Sequence, residues 1–223
     1  MRDLTRGILA LVVVTASVWP TLASADFIES PGVDLSGDHL SPTSIAVVPN
    51  GSTRISGTVE GAGMGVSLDL DYFTLTVPVG QVLAALIVRE GTLGAGMIGS
   101  FIAVFAGPTA ADPDTAVSTD ALGYYLYSAA DIGTNILDDM GTFNLGGTSP
   151  SIGFVPPLPS GEYTFWIQEG FRGTFPYSFE LVLVPGLPTI VSMGLAGLAM
   201  SLRRYGSAPG RVRSPAGANE ARS

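Results

Sequence analysis

Asp71-Tyr-Phe-Thr-Leu-Thr-Val77 alternates along its length, with Phe73, Leu75 and Val77 on one face and threonines on the other. Successive side chains of an extended chain point to opposite sides. A period of two is therefore typical of a β-strand with one buried and one wet face. This stretch predicts a strand that covers an apolar core.

Further strands follow on the C-terminal side. Residues 162–168 and 177–181 repeat the alternation of apolar and polar side chains. Val82–Val88 and Phe101–Phe105 are short, continuous apolar runs. Such runs are typical of strands buried on both faces, so we expect these two to lie at the centre of a sheet.

Turn residues separate these segments. Asn50-Gly51 is a tight hairpin signal between Ile45–Val48 and Thr53–Thr58. Pro78-Val-Gly80 and Pro159-Ser-Gly161 both precede a predicted strand. These turn-forming residues indicate short strands joined by turns.

Together these patterns predict an all-β fold of about eight strands, arranged as a single antiparallel β-sandwich of jelly-roll-like type. The segment from Gly107 to Leu122 predicts a long loop, and residues 131–147 are the least strand-like part, where a single helical turn is expected. A signal helix precedes this body and a transmembrane helix follows it in our prediction.

Composition excludes several classes of site. The chain of 223 residues has no cysteine and one histidine, which argues against disulfides and zinc. Residues 26–185 hold three arginines, no lysine and seventeen acidic residues, so their net charge is 3 − 17 = −14. Such a surface repels phosphate backbones, so we expect no nucleic-acid partner, and it can attract divalent cations.

The N-terminus predicts export. Arg2 and Arg6 precede the apolar run Ile8–Val18, and Ala23-Ser-Ala25 offers small residues at the −3 and −1 positions. A positive start, a short apolar run and such a site define a secretory signal peptide. Residues 1–25 are thus predicted to be removed by cleavage after Ala25.

The C-terminus predicts a membrane segment. Leu187–Leu202 carries no charge and is followed at once by Arg203 and Arg204. Sixteen residues at ~1.5 Å each span about 24 Å, slightly short of the ~30 Å hydrocarbon core. The arginines would stay in the cytoplasm and leave the body outside. A buried C-terminal helix of a soluble domain is the alternative.

The order Pro185-Gly186-Leu187-Pro188, apolar helix and Arg203-Arg204 resembles the PEP-CTERM sorting signal of Gram-negative bacteria that make exopolysaccharide. The resemblance implies a sorting segment at residues 185–205 and a dedicated membrane protease that cuts near the motif. We expect residues 206–223 to form a disordered basic tail. Gly186-Leu187 stands where that family has a single Glu, and nineteen residues follow Arg204.

The body, residues 26–184, is similar to the bacterial pre-peptidase C-terminal domain. The similarity rests on Asp34-Leu-Ser-Gly-Asp38, Ile55–Val59, the stretch from Asp69 to Pro78, and the turn-and-strand pattern from Pro159 to Phe165. The resemblance implies a small β-sandwich of the kind appended to secreted hydrolases, and fold transfers from such motifs more safely than function.

One candidate metal site stands out. A period of two places Asp69 and Asp71 on the same face, ~7 Å apart, where Ca²⁺ can bind between them and loop oxygens. Glu60, at the end of the preceding strand, is the third candidate ligand. Some domains of the resembled family bind calcium near the equivalent strand. The alternative is a solvated strand start or a turn cap. A second acidic group is Asp138-Asp139 with Asp131 upstream.

No catalytic apparatus is predicted. His39 is the only histidine, and no G-x-S-x-G elbow presents a serine to it. Gly94–Gly99 matches G-x-G-x-x-G, but a strand follows where pyrophosphate binding needs a helix. A secreted hydrolase that uses Asp69 or Glu162 is kept as a rival hypothesis.

An aromatic set offers a second binding hypothesis. Trp166, Tyr124, Tyr125 and Tyr127 can form a platform on which sugar rings stack, or they can be core packing.

We therefore expect a non-catalytic exported protein that is held at the inner membrane during sorting and then resides in the cell envelope or outside the cell. Its expected partners are the membrane, a sorting protease and exopolysaccharide. The alternative is a calcium-stabilised carbohydrate- or protein-binding module accessory to a secreted hydrolase.

Overall fold

The computed structural model describes residues 23–30, 32–63, 66–67, 69–94 and 100–186. The strands have these bounds: β1 Ser24–Ile28, β2 Thr43–Ser44, β3 Ser52–Gly63, β4 Val66–Ser67, β5 Leu70–Val77, β6 Gln81–Val88, β7 Ser100–Ala106, β8 Gly123–Leu126, β9 Gly161–Glu169 and β10 Gly173–Pro185. One short helix, α1, covers Leu137–Met140. No helix in these ranges is long and apolar enough to cross a membrane.

The strands form two sheets. The first has the order β1-β3-β10-β6, with β4 paired to β3, and the second has the order β2-β5-β9-β7-β8. The all-β prediction is confirmed, with ten strands in the described ranges instead of about eight. The helical turn expected within residues 131–147 is α1.

Apolar faces of both sheets meet in one core. Phe73 of β5 pairs with Phe165 of β9, and their rings stack with centroids 4.9 Å apart. Phe179 of β10 closes the core from the other sheet. Burial of an aromatic side chain of this size stabilises the fold by roughly 1.5–3 kcal/mol, which explains why the alternating segments fold as sheet.

The predicted antiparallel arrangement holds for most strand pairings in the described ranges, such as β3 with β10 and β5 with β9, but two pairings are parallel. β1 pairs with β3 in parallel, and β2 pairs with β5 in parallel. After β1 the chain crosses to the second sheet and returns only at β3. This crossover lets β3 run in the same direction as β1.

Asn50-Gly51 does not form the predicted hairpin. Asn50 has a positive φ of 52°, as a tight turn requires, but the preceding strand is β2 in the second sheet and the following one is β3 in the first. The turn therefore passes the chain between sheets. Residues 45–48 are not a strand.

Val82–Val88 lies within β6, which is an edge strand and not a central one. Isolated bridges join Leu83 to Leu158 and Ile87 to Asn135 along its outer edge. The segments around Leu158 and α1 cover this edge. Leu83, Leu86 and Val88 are buried, and the other residues of the run are half-buried. Phe101–Phe105 lies in β7 between β9 and β8, as predicted for a central strand.

The predicted cleavage point lies inside β1, where Ala25 pairs with Thr53. A chain that starts at Asp26 keeps Phe27 opposite Ile55, and Phe27 packs against the core. Cleavage after Ala25 is thus compatible with the part of β1 that contributes apolar contacts.

Candidate metal centre

Asp71 lies on the core-facing side of β5, near the start of the strand. Its side chain shares this side with Phe73 and Leu75, and Asp71 is 0 % exposed. Neither carboxylate oxygen has a hydrogen-bond partner among the described residues. A buried ionised carboxylate without donors is strongly unfavourable, so this position calls for a proton or a cation.

The segment after β1 brings a second carboxylate to the same place. Glu29 accepts hydrogen bonds from the backbone N–H groups of Leu35 and Thr58, at 3.1 and 2.9 Å, and from the Tyr177 hydroxyl, at 3.1 Å. These donors come from three different segments and hold the Glu29 carboxylate in one orientation. Asp34, on the same segment, is exposed.

Glu29, Asp34 and Asp71 form what we call the acidic cluster. Each offers a carboxylate oxygen, and the three oxygens lie within 4.8 Å of one another. Calcium binds oxygens at roughly 2.3–2.6 Å, so two ligands of the same ion are separated by up to about 5 Å. The spacing of the acidic cluster therefore fits a single Ca²⁺.

Glu29 and Asp34 line an open cleft of about 660 Å³, whereas the buried Asp71 is not among its lining residues. Arg54 also lines it, but its guanidinium donates to the Ser178 hydroxyl at 2.8 Å and to the carbonyl of Glu90 at 3.0 Å. Within the described ranges no ion pair joins a basic side chain to the acidic cluster. The negative charge of the cluster is therefore not compensated from within this part of the chain.

Burial perturbs the titration of this group. Loss of solvent raises the pKa of Asp71 to about 9, and the nearby charge of Glu29 adds to the effect. Burial also raises the pKa of Glu29, despite the donors that stabilise its charged form. The Tyr177 hydroxyl lies near Asp71 as well, but it has one proton and donates it to Glu29. Asp71 is therefore the carboxyl that most needs an external partner.

We compared the chain with models of protein families, with curated proteins and with solved structures. Nothing matches. The function of the cluster is therefore argued from its geometry.

The predicted ligands are only partly brought together. Asp71 belongs to the acidic cluster, and Asp69 lines the cleft together with Glu29 and Asp34. Burial raises the pKa of Asp69, and the charges of Asp34 and Glu60 raise it further. Glu60 is exposed and is not a member of the three-residue group.

Glu29 and Asp34 were missed by the sequence reasoning. They lie in an irregular crossover, and its path is not visible in hydrophobic periodicity. The available signal was the concentration of acidic residues between the predicted cleavage point and the first predicted strand.

The second acidic group does not assemble. Asp131 accepts hydrogen bonds from the backbone N–H of Ser128, at 2.7 Å, and from its hydroxyl, at 3.0 Å. Asp138 and Asp139 are exposed in α1. Asp131 therefore caps a turn.

The predicted sorting motif begins where β10 ends. Pro185 is the last residue of β10, and the Gly186 N–H donates to the carbonyl of Gly80 at 2.8 Å. Leu187, Pro188, Arg203 and Arg204 lie outside the described residues, as does the predicted signal peptide up to residue 22.

The four-residue aromatic platform is wrong. Trp166 and Tyr124 share the outer face of the second sheet, whereas Tyr125 and Tyr127 pack on the core side. Trp166 is also not a wet surface residue, because it is 6 % exposed. The segment Gly107–Leu122, predicted as a long loop, packs Ala110, Ala116 and Ala121 against this face.

Proposed function

We propose that the chain is a non-catalytic exported β-sandwich module whose fold Ca²⁺ stabilises at the acidic cluster. The observation that carries this proposal is the fully buried Asp71 carboxylate, which has no hydrogen-bond donor in the described part of the chain. A cation bound by Asp71, Glu29 and Asp34 would neutralise the Asp71 carboxylate. It would also join the segment that follows β1 to β5.

The donor set favours calcium over other metals. All three side chains offer carboxylate oxygen, the ligand of hard cations, and zinc sites normally use His or Cys. Glu29 and Asp34 line an open cleft, so water can reach their side of the cluster and complete a sphere of six to eight oxygens. Magnesium demands a near-ideal octahedron at roughly 2.0–2.1 Å and loses its waters reluctantly, which makes it the weaker candidate.

Thermal unfolding of the detergent-solubilised full chain tests the proposal. We expect the melting temperature to rise by several degrees when Ca²⁺ replaces EDTA, because a ligand that binds only the folded state stabilises it by mass action. Mg²⁺ at the same concentration should have a smaller effect. An unchanged melting temperature in Ca²⁺ would refute the proposal.

Two variants sharpen the test. Asp71→Asn should lose the calcium-induced shift, since an amide is a weak neutral ligand. Asp139→Asn removes an exposed carboxylate in α1 and should keep the full shift. A full shift in Asp71→Asn would assign calcium to a different site.

We also propose that the module is exported and sorted. The signal-like N-terminus and the PEP-CTERM-like C-terminus support delivery to the inner membrane, followed by residence in the envelope or outside the cell. β10 ends at Pro185, so a sorting protease can act after this residue without removing any strand.

Mass spectrometry of the protein recovered from its native cells tests the proposed export and sorting. We expect an N-terminus at Asp26 and, if a sorting protease acts, a C-terminus near Pro185–Pro188. A protein that keeps Met1 and remains in the cytosol would overturn it.

The finer architecture is also a proposal. Most consecutive strands alternate between the two sheets, which supports a jelly-roll-like sandwich similar to the pre-peptidase C-terminal domain. Association with exopolysaccharide, or a role as a binding module accessory to a secreted hydrolase, follows from the same resemblance.

A further inference from the structure

The outer face of the second sheet carries a row of four paired residues. Tyr72 of β5 pairs with Trp166 of β9, Trp166 with Ala103 of β7, and Ala103 with Tyr124 of β8. A residue with a single methyl group thus lies between two large aromatic side chains. The row forms a slot whose floor is Ala103 and whose walls are Trp166 and Tyr124.

Neighbouring rows extend the aromatic walls. Phe101 packs edge-on against Trp166, with ring centroids 5.3 Å apart, and lies 5.8 Å from Tyr124. Phe105 stacks with Trp166 on the other side, at 6.4 Å. The slot has a volume of about 340 Å³, enough for one or two sugar rings.

Segment 107–122 roofs the slot with small and apolar residues, of which Pro113, Ala116 and Val117 line it. Ser118, Ser149 and Gln168 line it too and are only partly buried. The slot therefore combines an apolar interior with a few polar groups near solvent, as small-molecule sites commonly do.

Trp166 provides a second, independent observation. Its indole N–H is buried and has no acceptor among the described residues. Tyr124, on the opposite wall, is fully engaged, because its hydroxyl donates to the Ser149 carbonyl and accepts from the Leu145 N–H. Buried N–H groups are normally paired, and Trp166 lines the slot, so a ligand there is the natural source of an acceptor for this N–H.

The charge around the slot excludes anions. Asp112, Asp114 and Asp120 lie on the roof segment, and no basic side chain lines the slot within the described ranges. The body as a whole is strongly acidic. A carboxylated or phosphorylated ligand would be repelled, and a cation without an acceptor atom would leave the indole N–H unpaired, so we expect an uncharged ligand.

We infer that this slot binds a ring of an uncharged glycan. Trp166 already stacks with Tyr72 and Phe105, so the apolar C–H face of a pyranose can stack on the partly exposed Phe101. A ring or hydroxyl oxygen can accept the indole N–H, and further hydroxyls can reach Gln168 and the rim serines. An apolar peptide side chain would fill the volume but leave the N–H unpaired. The inference rests on the proposed surface role and gives it a ligand class, but it does not require calcium.

The test uses the detergent-solubilised full chain with Trp19→Phe, in which Trp166 is the only tryptophan. Cellobiose, maltose, lactose and chitobiose are the neutral probes, and glucuronic acid is the anionic one. We expect at least one neutral disaccharide to change the Trp166 emission saturably and to shift its indole N–H resonance. Glucuronic acid should do neither. The absence of a saturable response to every neutral probe would overturn the inference.

Variants separate the slot from the rest of the fold. Ala103→Leu fills the floor of the slot, so calorimetry should detect no glycan binding to this variant. Ala106→Leu makes the same change at an exposed position of β7 and should bind normally. Trp166→Phe keeps an aromatic wall without the N–H and should weaken binding about three- to tenfold, the usual effect of losing one hydrogen bond. Unchanged affinity in Trp166→Phe would contradict the assignment.

If Ala103→Leu does not fold, Ala116→Leu narrows the slot from the roof and should also reduce binding. Titration in EDTA, below the melting temperature, separates this inference from the calcium proposal. Glycan binding that persists in EDTA supports a slot independent of the acidic cluster, and a calcium shift without any glycan response refutes the slot alone.

Discussion

The Tyr177 hydroxyl donates to Oε1 of Glu29, 3.1 Å away and 148 residues earlier in the chain. This hydrogen bond joins the segment after β1 to the centre of β10. It also commits the only proton of the hydroxyl, so Asp71 beside it has no donor in the described part of the chain. The properties of the acidic cluster follow from this arrangement.

Replacing Asp71 by Asn should stabilise the calcium-free protein at pH 8. At this pH the unfolded carboxyl is ionised, whereas the folded one, with a pKa raised to about 9, must hold a proton or carry an uncompensated charge. Asn removes this penalty, but its amide is also buried. We expect a net gain of about 1–3 kcal/mol in the free energy of unfolding, measured by urea denaturation in EDTA.

The control for this change is Asp139→Asn, at an exposed position of α1. It should alter the free energy of unfolding by less than about 0.5 kcal/mol. A destabilised Asp71→Asn would show that the carboxylate has a partner that compensates its charge.

Stability of the calcium-free protein should fall as the pH rises from about 4 to about 9. The folded pKa of Asp71 lies above its ordinary value of 3.8, so between these values the folded chain holds a proton that the unfolded chain has released. The free energy of unfolding then decreases with pH, by up to about 1.4 kcal/mol per unit for one proton. The raised pKa of Glu29 acts in the same direction.

Urea denaturation in EDTA at pH 5, 7 and 8.5 measures this slope. Asp71→Asn should flatten it, because the main titrating group is gone. A wild-type protein that becomes more stable with rising pH across this window would contradict the raised pKa of Asp71.

Calcium affinity should increase with pH below about 9. Calcium must displace the proton that Asp71 holds in the folded state, so each pH unit below the raised pKa should change the affinity up to tenfold. Calorimetry in two buffers of different ionisation enthalpy measures the proton released. A release near zero at pH 7 would mean that Asp71 is not a ligand.

Periodicity predicted the strands whose two faces differ. Phe73 and Phe165 alternate with threonines, so β5 and β9 are visible in the sequence. It misplaced β6 because a continuous apolar run does not reveal what covers it, and in β6 only Leu83, Leu86 and Val88 are buried. The segments that contain Leu158 and Asn135 cover the outer edge of β6 through single bridges. Isolated bridges of this kind produce no periodic pattern in the sequence.

Of the three residues of the acidic cluster, only Asp71 was predicted from the sequence as a ligand, for a related reason. Asp71 stands inside a strong strand, so a period of two places it beside Asp69. Glu29 and Asp34 reach the cluster through the crossover that follows β1. Irregular backbone is set by tertiary hydrogen bonds, such as that from Leu35 to Glu29, and these cannot be read from residue spacing.

Gly57→Ala should weaken calcium binding although Gly57 is not a ligand. A Cβ at this position of β3 would overlap the Glu29 carboxylate and the Tyr177 hydroxyl, so Glu29 must leave the donors that orient it. We expect a loss of calcium affinity of about tenfold, together with a destabilisation of about 1–2 kcal/mol from the broken hydrogen bonds. Calorimetry and urea denaturation measure the two effects. Gly37→Ala is the matched control, since its new Cβ meets only the carbonyl oxygen of Leu70 at an ordinary 3.5 Å. If Gly57→Ala binds calcium as the wild type does, the carboxylate of Glu29 does not coordinate the ion.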